Sequence, residues 1–263
     1  MNIVVCIKPA PDPKKWDSIQ LDPVTKALQR AGIPSVLGPL DKRAVEEGLR
    51  LKEKYGGKVV VMAMAPPSAR ENLVEALAMG ADEGYLLSDR IFAGSDTWST
   101  SLVLARAIKK LASFDLVICG SWSLDGSTGH VGAQLAEFLG IWNVSQVTAI
   151  DYTENNCIRT RSQIERGYRV METPLPALIT VTHEINIPRF ISLFGVMEGE
   201  SKPLHTWSGG DIGISAGEVG FSGSPTQTGD VFIPPLKRKA EMLNGDPEEM
   251  VKEIIHRIRL ATG

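Results

Sequence analysis

Cysteine and histidine are scarce in this chain of 263 residues. The three cysteines, Cys6, Cys119 and Cys157, are odd in number and far apart, and two of them lie inside apolar runs. We therefore expect reduced core residues rather than disulfides. The four histidines show no metal-ligand spacing, so no metal site is expected; they are His130, His183, His205 and His256.

The chain also lacks a charge excess and a long apolar run. Its formal net charge is -3, so it has no basic field of the kind that dominates nucleic-acid affinity, and no nucleic-acid partner is expected. It contains no apolar span of about eighteen residues and no N-terminal signal pattern. We therefore expect a cytoplasmic protein without a membrane span.

One stretch stands out by its glycines. Residues 115–140, DLVICGSWSLDGSTGHVGAQLAEFLG, predict a strand, a glycine loop and a helix that ends at Gly140. Gly126, Gly129 and Gly132 recur every third residue in the loop. Glycine lets a backbone approach a ligand closely, and free N–H groups at a helix start attract anions. A phosphate would fit at this position.

The same loop has a simpler interpretation. Asp125, Ser127 and Thr128 could merely cap a surface helix, because side chains of these types often do so. The loop matches neither a Walker motif nor the dinucleotide fingerprint, so its spacing alone names no ligand.

Apolar strands alternate with helical patterns over the first 140 residues. The strands are predicted at 2–7, 58–65, 84–87 and 115–119, and the first helix is predicted to begin with Asp41 as its N-cap. This alternation predicts a doubly wound, parallel α/β sheet. Ligands bind such sheets beyond the carboxyl ends of the strands, where residues 8–10, 64–66 and 120–132 are located.

The pattern changes after residue 144. Charged residues are interspersed in strand-like segments at 147–152, 157–165, 168–172 and 177–181, which predict an antiparallel extension. Residues 201–235 are rich in Gly, Ser, Thr and Pro and are interpreted as an arm lying on a partner. A terminal helix begins near Asp246. We therefore divide the chain into an α/β domain with its extension, 1–200, and a C-terminal arm and helix, 201–263.

No catalytic motif is evident. The chain has no G-x-S-x-G elbow, no nucleophilic cysteine in a known motif and no carboxylate pair that spacing would single out. The adjacent pairs Glu46 with Glu47 and Glu248 with Glu249 are interpreted as solvated helix faces. A nucleotide-like loop without an acid, base or nucleophile suits a carrier whose bound cofactor does the chemistry.

Four stretches together resemble the beta subunit of electron-transfer flavoproteins. The opening VVCIKPAPD is similar to the family's strand and K-x-V-P-D start, and residues 41–87 resemble its first αβα stretch. LDGSTGHVGAQLAE resembles the nucleotide loop I-D-G-D-T-A-Q-V-G-P-x-(I/L)-A-E. LPALITVTHEINIPRFISLFGVM resembles the later signature L-P-A-V-V-T-V-x-x-x-(L/I)-N-E-P-R-Y-x-x-L-x-x-I-M. The resemblance covers nearly the whole chain.

The resemblance implies an adenine-nucleotide-binding, HUP-like fold and an alpha-subunit partner that carries the redox FAD. It implies an electron-transfer subunit that acts only with this partner and a flavin-containing dehydrogenase, without catalytic residues of its own. Ordinary members bind AMP in the beta subunit, whereas electron-bifurcating members bind a second FAD that NADH approaches. The D-G-x-T-x-x-V-G form of the loop looks more like the bifurcating branch, so FAD is favoured and AMP is the alternative.

The resemblance also assigns site residues. The cofactor positions are Cys6, Gly38, Pro39, Leu40, Asp41, Met64, Ser121, Trp122, Ser123, Leu124, Asp125, Gly126, Ser127, Thr128, Gly129, His130, Val131 and Gly132. Leu193 matches the leucine by which the family recognises dehydrogenases. Pro188, Arg189 and Phe190 are expected to position it outward as an anchor for a partner dehydrogenase. The alternative is that Leu193 is a buried leucine at a strand end.

Two other classes of function remain as alternatives. An ATP-pyrophosphatase-like enzyme needs an S-G-G-x-D-S loop after the first strand, but KPAPDP stands there. A stress-type nucleotide-binding module would not account for the C-terminal arm or for the signature around Leu193.

Overall fold

The computed structural model describes residues 1–18, 20–21, 28–29, 33–153, 156–227, 229 and 241–262. The chain forms two compact units, Met1–Gly229 and Asp230–Gly263. Within the described ranges, no helix is long and apolar enough to cross a membrane.

Among the described residues, nine strands form the main sheet of the first unit. They are β1 Asn2–Cys6, β2 Lys58–Met64, β3 Glu83–Leu87, β4 Leu116–Gly120, β5 Trp142–Thr153, β6 Cys157–Ile164, β7 Gly167–Pro174, β8 Ala177–Val181 and β9 Leu204–Trp207. Their order is β7-β6-β5-β8-β4-β1-β2-β3-β9. Neighbours from β5 to β9 along this order are parallel. Strand β6 is antiparallel to both of its neighbours, β5 and β7.

Among the described residues there are seven α-helices, of which the first five connect parallel strands. They are α1 Pro39–Tyr55, α2 Arg70–Met79, α3 Thr97–Lys110, α4 Val131–Leu139, α5 Leu193–Ser201, the single turn α6 Gly220–Gly223 and, in the second unit, α7 Pro247–Thr262. Short 3-10 turns lie at Pro13–Ser18, Pro67–Ala69, Arg90–Phe92 and Gly210–Ile212. Two-residue strands pair Ala10–Pro11 with Ser35–Val36 and Gln20–Leu21 with Leu28–Gln29.

Alternate residues of β1 enter two different cores. Ile3 and Val5 join a cluster that contains the apolar faces of α1 and α2, and Val4 and Cys6 join another that contains those of α3 and α4. A strand covered on both faces must be apolar throughout, which accounts for the continuous run NIVVC. The predicted doubly wound α/β fold is confirmed.

Helix α1 begins earlier than predicted. Its first residue is Pro39, and Gly38 is the N-cap, so the prediction of Asp41 as N-cap is wrong. Proline suits the first helical position because its fixed φ is already helical. A backbone N–H at this position would have no acceptor within the helix, so its absence costs little. Asp41 therefore lies inside the first turn, where it is buried.

The interpretation of Glu46 and Glu47 as a solvated helix face is also wrong. Both residues are buried. Arg189 donates to Glu46, and Asn186 donates to Glu47. Buried carboxylates need such partners, and these come from a segment about 140 residues further along the chain.

Residues 177–181 do not belong to the antiparallel extension. They form β8, which lies parallel between β5 and β4. All five residues are buried, as is typical of a central parallel strand, whereas β6 alternates between buried and exposed positions. The predicted antiparallel extension is confirmed for β6, for β7 and for residues 147–152 of β5.

The segment predicted as an arm begins within the first unit. Strand β9 adds to the edge of the main sheet beside β3, and Ile212, Ile214 and Val219 are buried in one of the two cores. The boundary between the compact units falls between Gly229 and Asp230, later than the predicted boundary at residues 200 and 201. Residues 230–240 lie outside the described ranges.

The described part of the second unit is dominated by α7. Asp246 accepts a hydrogen bond from the Glu248 N–H at 2.8 Å, next to the helix start. Glu248 and Glu249 are exposed, as predicted. The predicted apolar stripe is also exposed; it consists of Val251, Ile254, Ile255 and Ile258.

Candidate functional site: a cradle at the carboxyl ends of the strands

The floor of the site is formed by the ends of β1 and β4. Cys6 and Cys119 are neighbours in register on these two strands, and both are buried free thiols. The hydrogen bond with Cys6 and burial raise the pKa of the Cys119 thiol above its usual value. These cysteines are therefore unreactive core residues, and a contact of Cys6 with a ligand would have to come from its backbone.

The first turn of α1 lies against the end of β4. A Cβ atom on Gly120 would stand 2.9 Å from the Cβ of Leu40, so glycine is needed for this approach. Beside it, the Asp41 carboxylate accepts the Lys8 N–H at 3.3 Å. Burial raises the pKa of Asp41 to about 7, although hydrogen bonds from the Lys8 and Gly38 amides oppose the shift. Asp41 therefore exchanges a proton near neutral pH.

An ion pair links the ends of β1 and β4. Lys8 Nζ lies 2.7 Å from an oxygen of Asp125 and 3.5 Å from Ser123 Oγ. Burial raises the pKa of Asp125, but the charge and hydrogen bond of Lys8 outweigh it, and the pKa lies below its usual value. Asp125 also accepts the Gly126 N–H at 2.7 Å and so shapes the turn. Lys8 was missed as an individual site residue, although it directly follows the predicted first strand, 2–7.

The three loop glycines have different roles. A Cβ atom on Gly126 would meet nothing closer than 3.8 Å, so this position is open. Gly129 has φ +66°, a conformation that favours glycine, and its Cβ would lie 3.2 Å from Ser121 O. A Cβ on Gly132 would lie 2.5 Å from Thr180 Cγ2 in β8. Gly132 thus permits α4 to pack on the sheet.

Helix α4 begins without a side-chain cap. Its N-cap is His130, whose side chain makes no capping hydrogen bond. Ser127 Oγ instead donates to Ser123 O at 2.9 Å, and Asp125 binds Lys8. The simpler interpretation, in which Asp125, Ser127 and Thr128 merely cap the helix, is therefore wrong, because the N-cap position belongs to His130. The first amides of α4 have no side-chain cap and are oriented to attract an anion.

We use the name cradle for Lys8, residues 38–41 and residues 120–132. The fold brings most of the predicted cofactor positions into it, although their side chains differ in direction. Ser121 is buried and donates to Val181 O at 2.8 Å, and Leu40 is buried in the core. Met64 ends the neighbouring strand β2. Positions exposed at the surface are Pro39, Trp122, Gly126, Ser127, Thr128, Gly129 and His130.

No metal site accompanies the cradle. Within the part of the chain that the structure describes, no group of three His, Cys, Asp or Glu residues could hold a metal ion. The groups of the cradle that can donate hydrogen bonds to an anion include backbone amides, hydroxyl groups and the amine of Lys8. These are the groups that bind phosphate.

A second surface lies at residues 186–197. Leu193 is the first residue of α5, and it is 77% exposed, so the alternative of a buried strand-end leucine is wrong. Ser192 caps α5 by accepting the Gly195 N–H at 3.0 Å. Other large apolar side chains exposed on this segment are Ile187, Phe190, Phe194, Val196 and Met197. A monomer seldom exposes so much contiguous apolar surface unless a partner covers it.

Comparison with known proteins identifies the family. The family model described as "Electron transfer flavoprotein domain" matches residues 25–211. The electron transfer flavoprotein subunit beta of Thermoanaerobacterium thermosaccharolyticum is 41% identical, over 98% of this chain and 98% of the relative. The chain belongs to the electron transfer flavoprotein beta-subunit family. The resemblance drawn from the four sequence stretches is thereby confirmed.

Two further relatives of this electron transfer flavoprotein chain have names that mention a reductase. The caffeyl-CoA reductase-Etf complex subunit CarD of Acetobacterium woodii is 45% identical, over 93% of this chain and 92% of the relative. The acryloyl-CoA reductase electron transfer subunit gamma of Anaerotignum propionicum is 36% identical, over 98% of both chains. Membership of this family leaves the pyrophosphatase-like and stress-type alternatives without support.

Proposed function

We propose that this chain is the beta subunit of a heterodimeric electron transfer flavoprotein. In this proposal it binds an adenine nucleotide in the cradle and helps to pass electrons between a flavin dehydrogenase and a downstream acceptor. The observation that carries the proposal is the open space beside Gly126, next to Lys8 and before the uncapped start of α4. This opening lies at the carboxyl ends of parallel strands, where such folds bind nucleotides.

The charges of the cradle suit a phosphate group. Asp125 is ionised, but Lys8 neutralises it at 2.7 Å. Asp41 has a pKa of about 7 and so carries only part of a charge at neutral pH. The helix start adds the positive end of the α4 dipole. Two ionised carboxylates near an anion would repel it. The ion pair of Lys8 with Asp125 and the raised pKa of Asp41 both reduce this repulsion.

FAD is the favoured nucleotide, with AMP as the alternative in the same site. The form D-G-x-T-x-x-V-G of the loop supports FAD, and with it NADH-dependent electron bifurcation. The names of the relatives from caffeyl-CoA and acryloyl-CoA reductases support a reductase or dehydrogenase of CoA esters as the partner. Bound FAD would supply the redox chemistry. This chain would fix its phosphates through the backbone amides that follow Gly126, up to Gly132, and the amine of Lys8.

Two surfaces are proposed to contact partners. The exposed stripe of α7, from Val251 to Ile258, would pack on the alpha subunit that carries the redox FAD. The segment 186–197 would dock a flavin-containing dehydrogenase through Leu193. Both surfaces present aliphatic side chains, which contribute most when they are buried against a partner.

The proposal is tested by purifying the chain with its co-expressed alpha partner and extracting the nucleotides with acid. We expect two FAD molecules per heterodimer, one of them from the cradle. One FAD and one AMP would overturn bifurcation and leave the phosphate site in place. A heterodimer with no adenine nucleotide beyond the FAD of the alpha subunit would overturn the proposed site.

A further inference from the structure

A group of charged residues on α1 faces the segment that leads to α5. Its centre is Glu46, whose side chain is only 4% exposed. The carboxylate accepts Arg189 Nε at 2.8 Å, the Arg189 backbone N–H at 3.1 Å and Arg189 Nη2 at 3.3 Å. Arg50 Nε donates to the same carboxylate at 2.8 Å. One buried side chain thus binds both the backbone and the guanidinium of Arg189.

The hydrogen bonds keep Glu46 ionised. Burial alone would raise the pKa of Glu46, but the hydrogen bonds from Arg189 and Arg50 outweigh it, and the pKa lies below its usual value. A charged, nearly inaccessible carboxylate with several donors is costly to leave unpaired. The contact between Glu46 and Arg189 is therefore held firmly.

Neighbouring residues fasten the same stretch. Asn186 Nδ2 donates to Glu47 at 2.9 Å and to the Arg43 carbonyl at 3.0 Å. Arg50 Nη2 donates to the Ile187 carbonyl at 3.3 Å. Residues 186–189 are thus attached to α1 at three of their four positions, Ile187 and Arg189 through the backbone and Asn186 through its side chain.

The attachment to α1 ends at Arg189, directly before two exposed anchor residues. Phe190, the residue after Arg189, is 100% exposed, and Leu193 follows three residues later. On the other side of this surface, α5 lies close to α2, since a Cβ on Gly195 would stand 2.5 Å from Ala78 O. The apolar surface therefore projects from a short stretch that is held at both ends.

We propose that Glu46 is a positioning residue for docking: by holding Arg189 it fixes the backbone from which Phe190 and Leu193 project toward a partner dehydrogenase. This inference rests on the proposed function of segment 186–197. Ordering a loop during association costs free energy, so a segment that is already fixed binds more tightly. Loss of the Glu46 contact should weaken encounter with the partner and leave electron transfer within the complex intact.

The test compares Glu46→Gln with the matched control Glu53→Gln in the intact heterodimer. Glu53 is 58% exposed and contacts Arg189 only at Nη1, at 2.6 Å. Electron exchange is followed with purified caffeyl-CoA reductase as the probe. We expect the KM for the reductase to rise about tenfold in Glu46→Gln with kcat unchanged. The control should stay within about twofold, as is typical of exposed ion pairs.

Trypsin gives a second readout, because it cleaves after Arg189. In the native heterodimer the Arg189 guanidinium is bound to Glu46 and cannot enter the trypsin pocket, so cleavage of the bond between Arg189 and Phe190 should be slow. Cleavage at Arg189 should become faster in Glu46→Gln, relative to cleavage at other sites in the same sample. A general loss of stability would instead accelerate all sites together.

The outcomes separate this inference from the proposed function. Unchanged KM and unchanged cleavage at Arg189 in Glu46→Gln would overturn the inference, as would a fall in kcat with KM constant. If wild type exchanges no electrons with the reductase, the result counts against the proposed docking function, while the trypsin result still decides the positioning role. Should Glu46→Gln fail to fold, Arg189→Lys keeps the charge and loses the paired geometry, and the same two readouts apply.

Discussion

The cradle and the segment 186–197 are built in opposite ways. In the cradle, the polar side chains already have partners, since Ser127 Oγ donates to the Ser123 carbonyl and Lys8 donates to Asp125, and the open position is the space beside Gly126. In the segment, the backbone is bound by α1, and the open positions are the side chains of Phe190 and Leu193.

This difference follows from what each surface would bind. A phosphate needs close approach to N–H groups, so a Cβ atom in its way is harmful and glycine is useful. A protein partner needs apolar side chains that remain in fixed positions, so a firmly bound backbone is useful. The comparison predicts that added side-chain volume damages the cradle, whereas removed volume damages the segment.

The largest effect is expected for Gly126→Val. A valine side chain would fill the open position and obstruct a phosphate, and Gly126 is outside the positive-φ region, so little backbone strain is added. We expect at least about a tenfold loss of bound nucleotide, at roughly 1.4 kcal/mol per tenfold. Nucleotide content of the purified heterodimer measures it. Full occupancy would show that the phosphates lie elsewhere.

Two other glycines serve as comparisons for that result. Gly129→Val should also release nucleotide, but its φ of +66° adds strain that has nothing to do with the ligand. Gly132→Ala would overlap Thr180, so it should lower the thermal midpoint by overpacking, at a cost of about 1–3 kcal/mol. A stable Gly132→Ala that has lost only its nucleotide would contradict the packing role.

A somewhat smaller effect is expected for Leu193→Ala. Truncating an exposed anchor should slow electron exchange with a dehydrogenase by about tenfold while the fold and the nucleotide content stay unchanged. Ile164→Ala is the matched control, because Ile164 is an exposed aliphatic residue at the end of β6, outside the proposed docking segment. Equal slowing in both variants would show that Leu193 has no special role, and lost stability with normal exchange would do the same.

The smallest effect concerns pH and Asp41. Its pKa is raised from 3.8 to about 7, so the folded chain binds this proton more tightly than the unfolded chain does. The contribution of Asp41 to stability therefore falls as pH rises from about 4 to about 7. Nucleotide affinity should fall by about fivefold as pH rises through 7, because a carboxylate near phosphate costs roughly 1 kcal/mol. Titration calorimetry with the nucleotide-free heterodimer measures it, and Asp41→Asn should remove the slope. A slope unchanged in Asp41→Asn would assign it to another group.

The sequence predicted helix and strand ends well where neighbouring residues determine them. Gly140 ends α4 in a left-handed conformation, as its position after the apolar pattern predicted. The start of α1 was misplaced because Pro39 and Gly38 set it, while Asp41 turns into the core. The parallel position of β8 was missed because the residues of a strand do not determine which other strands it pairs with.

The candidate site could be predicted from the sequence only in part. The glycine loop was visible because its spacing is local, and the family resemblance supplied the residues of the first α1 turn. The ion pair of Lys8 with Asp125 joins residues more than 100 positions apart. The contact between Glu46 and Arg189 also joins distant parts of the chain, and the local sequence around each residue gives no sign of the other.

The position of the nucleotide phosphates tests the central claim most directly. An experimental structure of the heterodimer with its co-purified nucleotide would locate them. We expect the phosphate oxygens within hydrogen-bond distance of backbone amides between Gly126 and Gly132 and close to Lys8 Nζ. Phosphates bound away from this loop, with the backbone at Gly126 still open, would contradict the account.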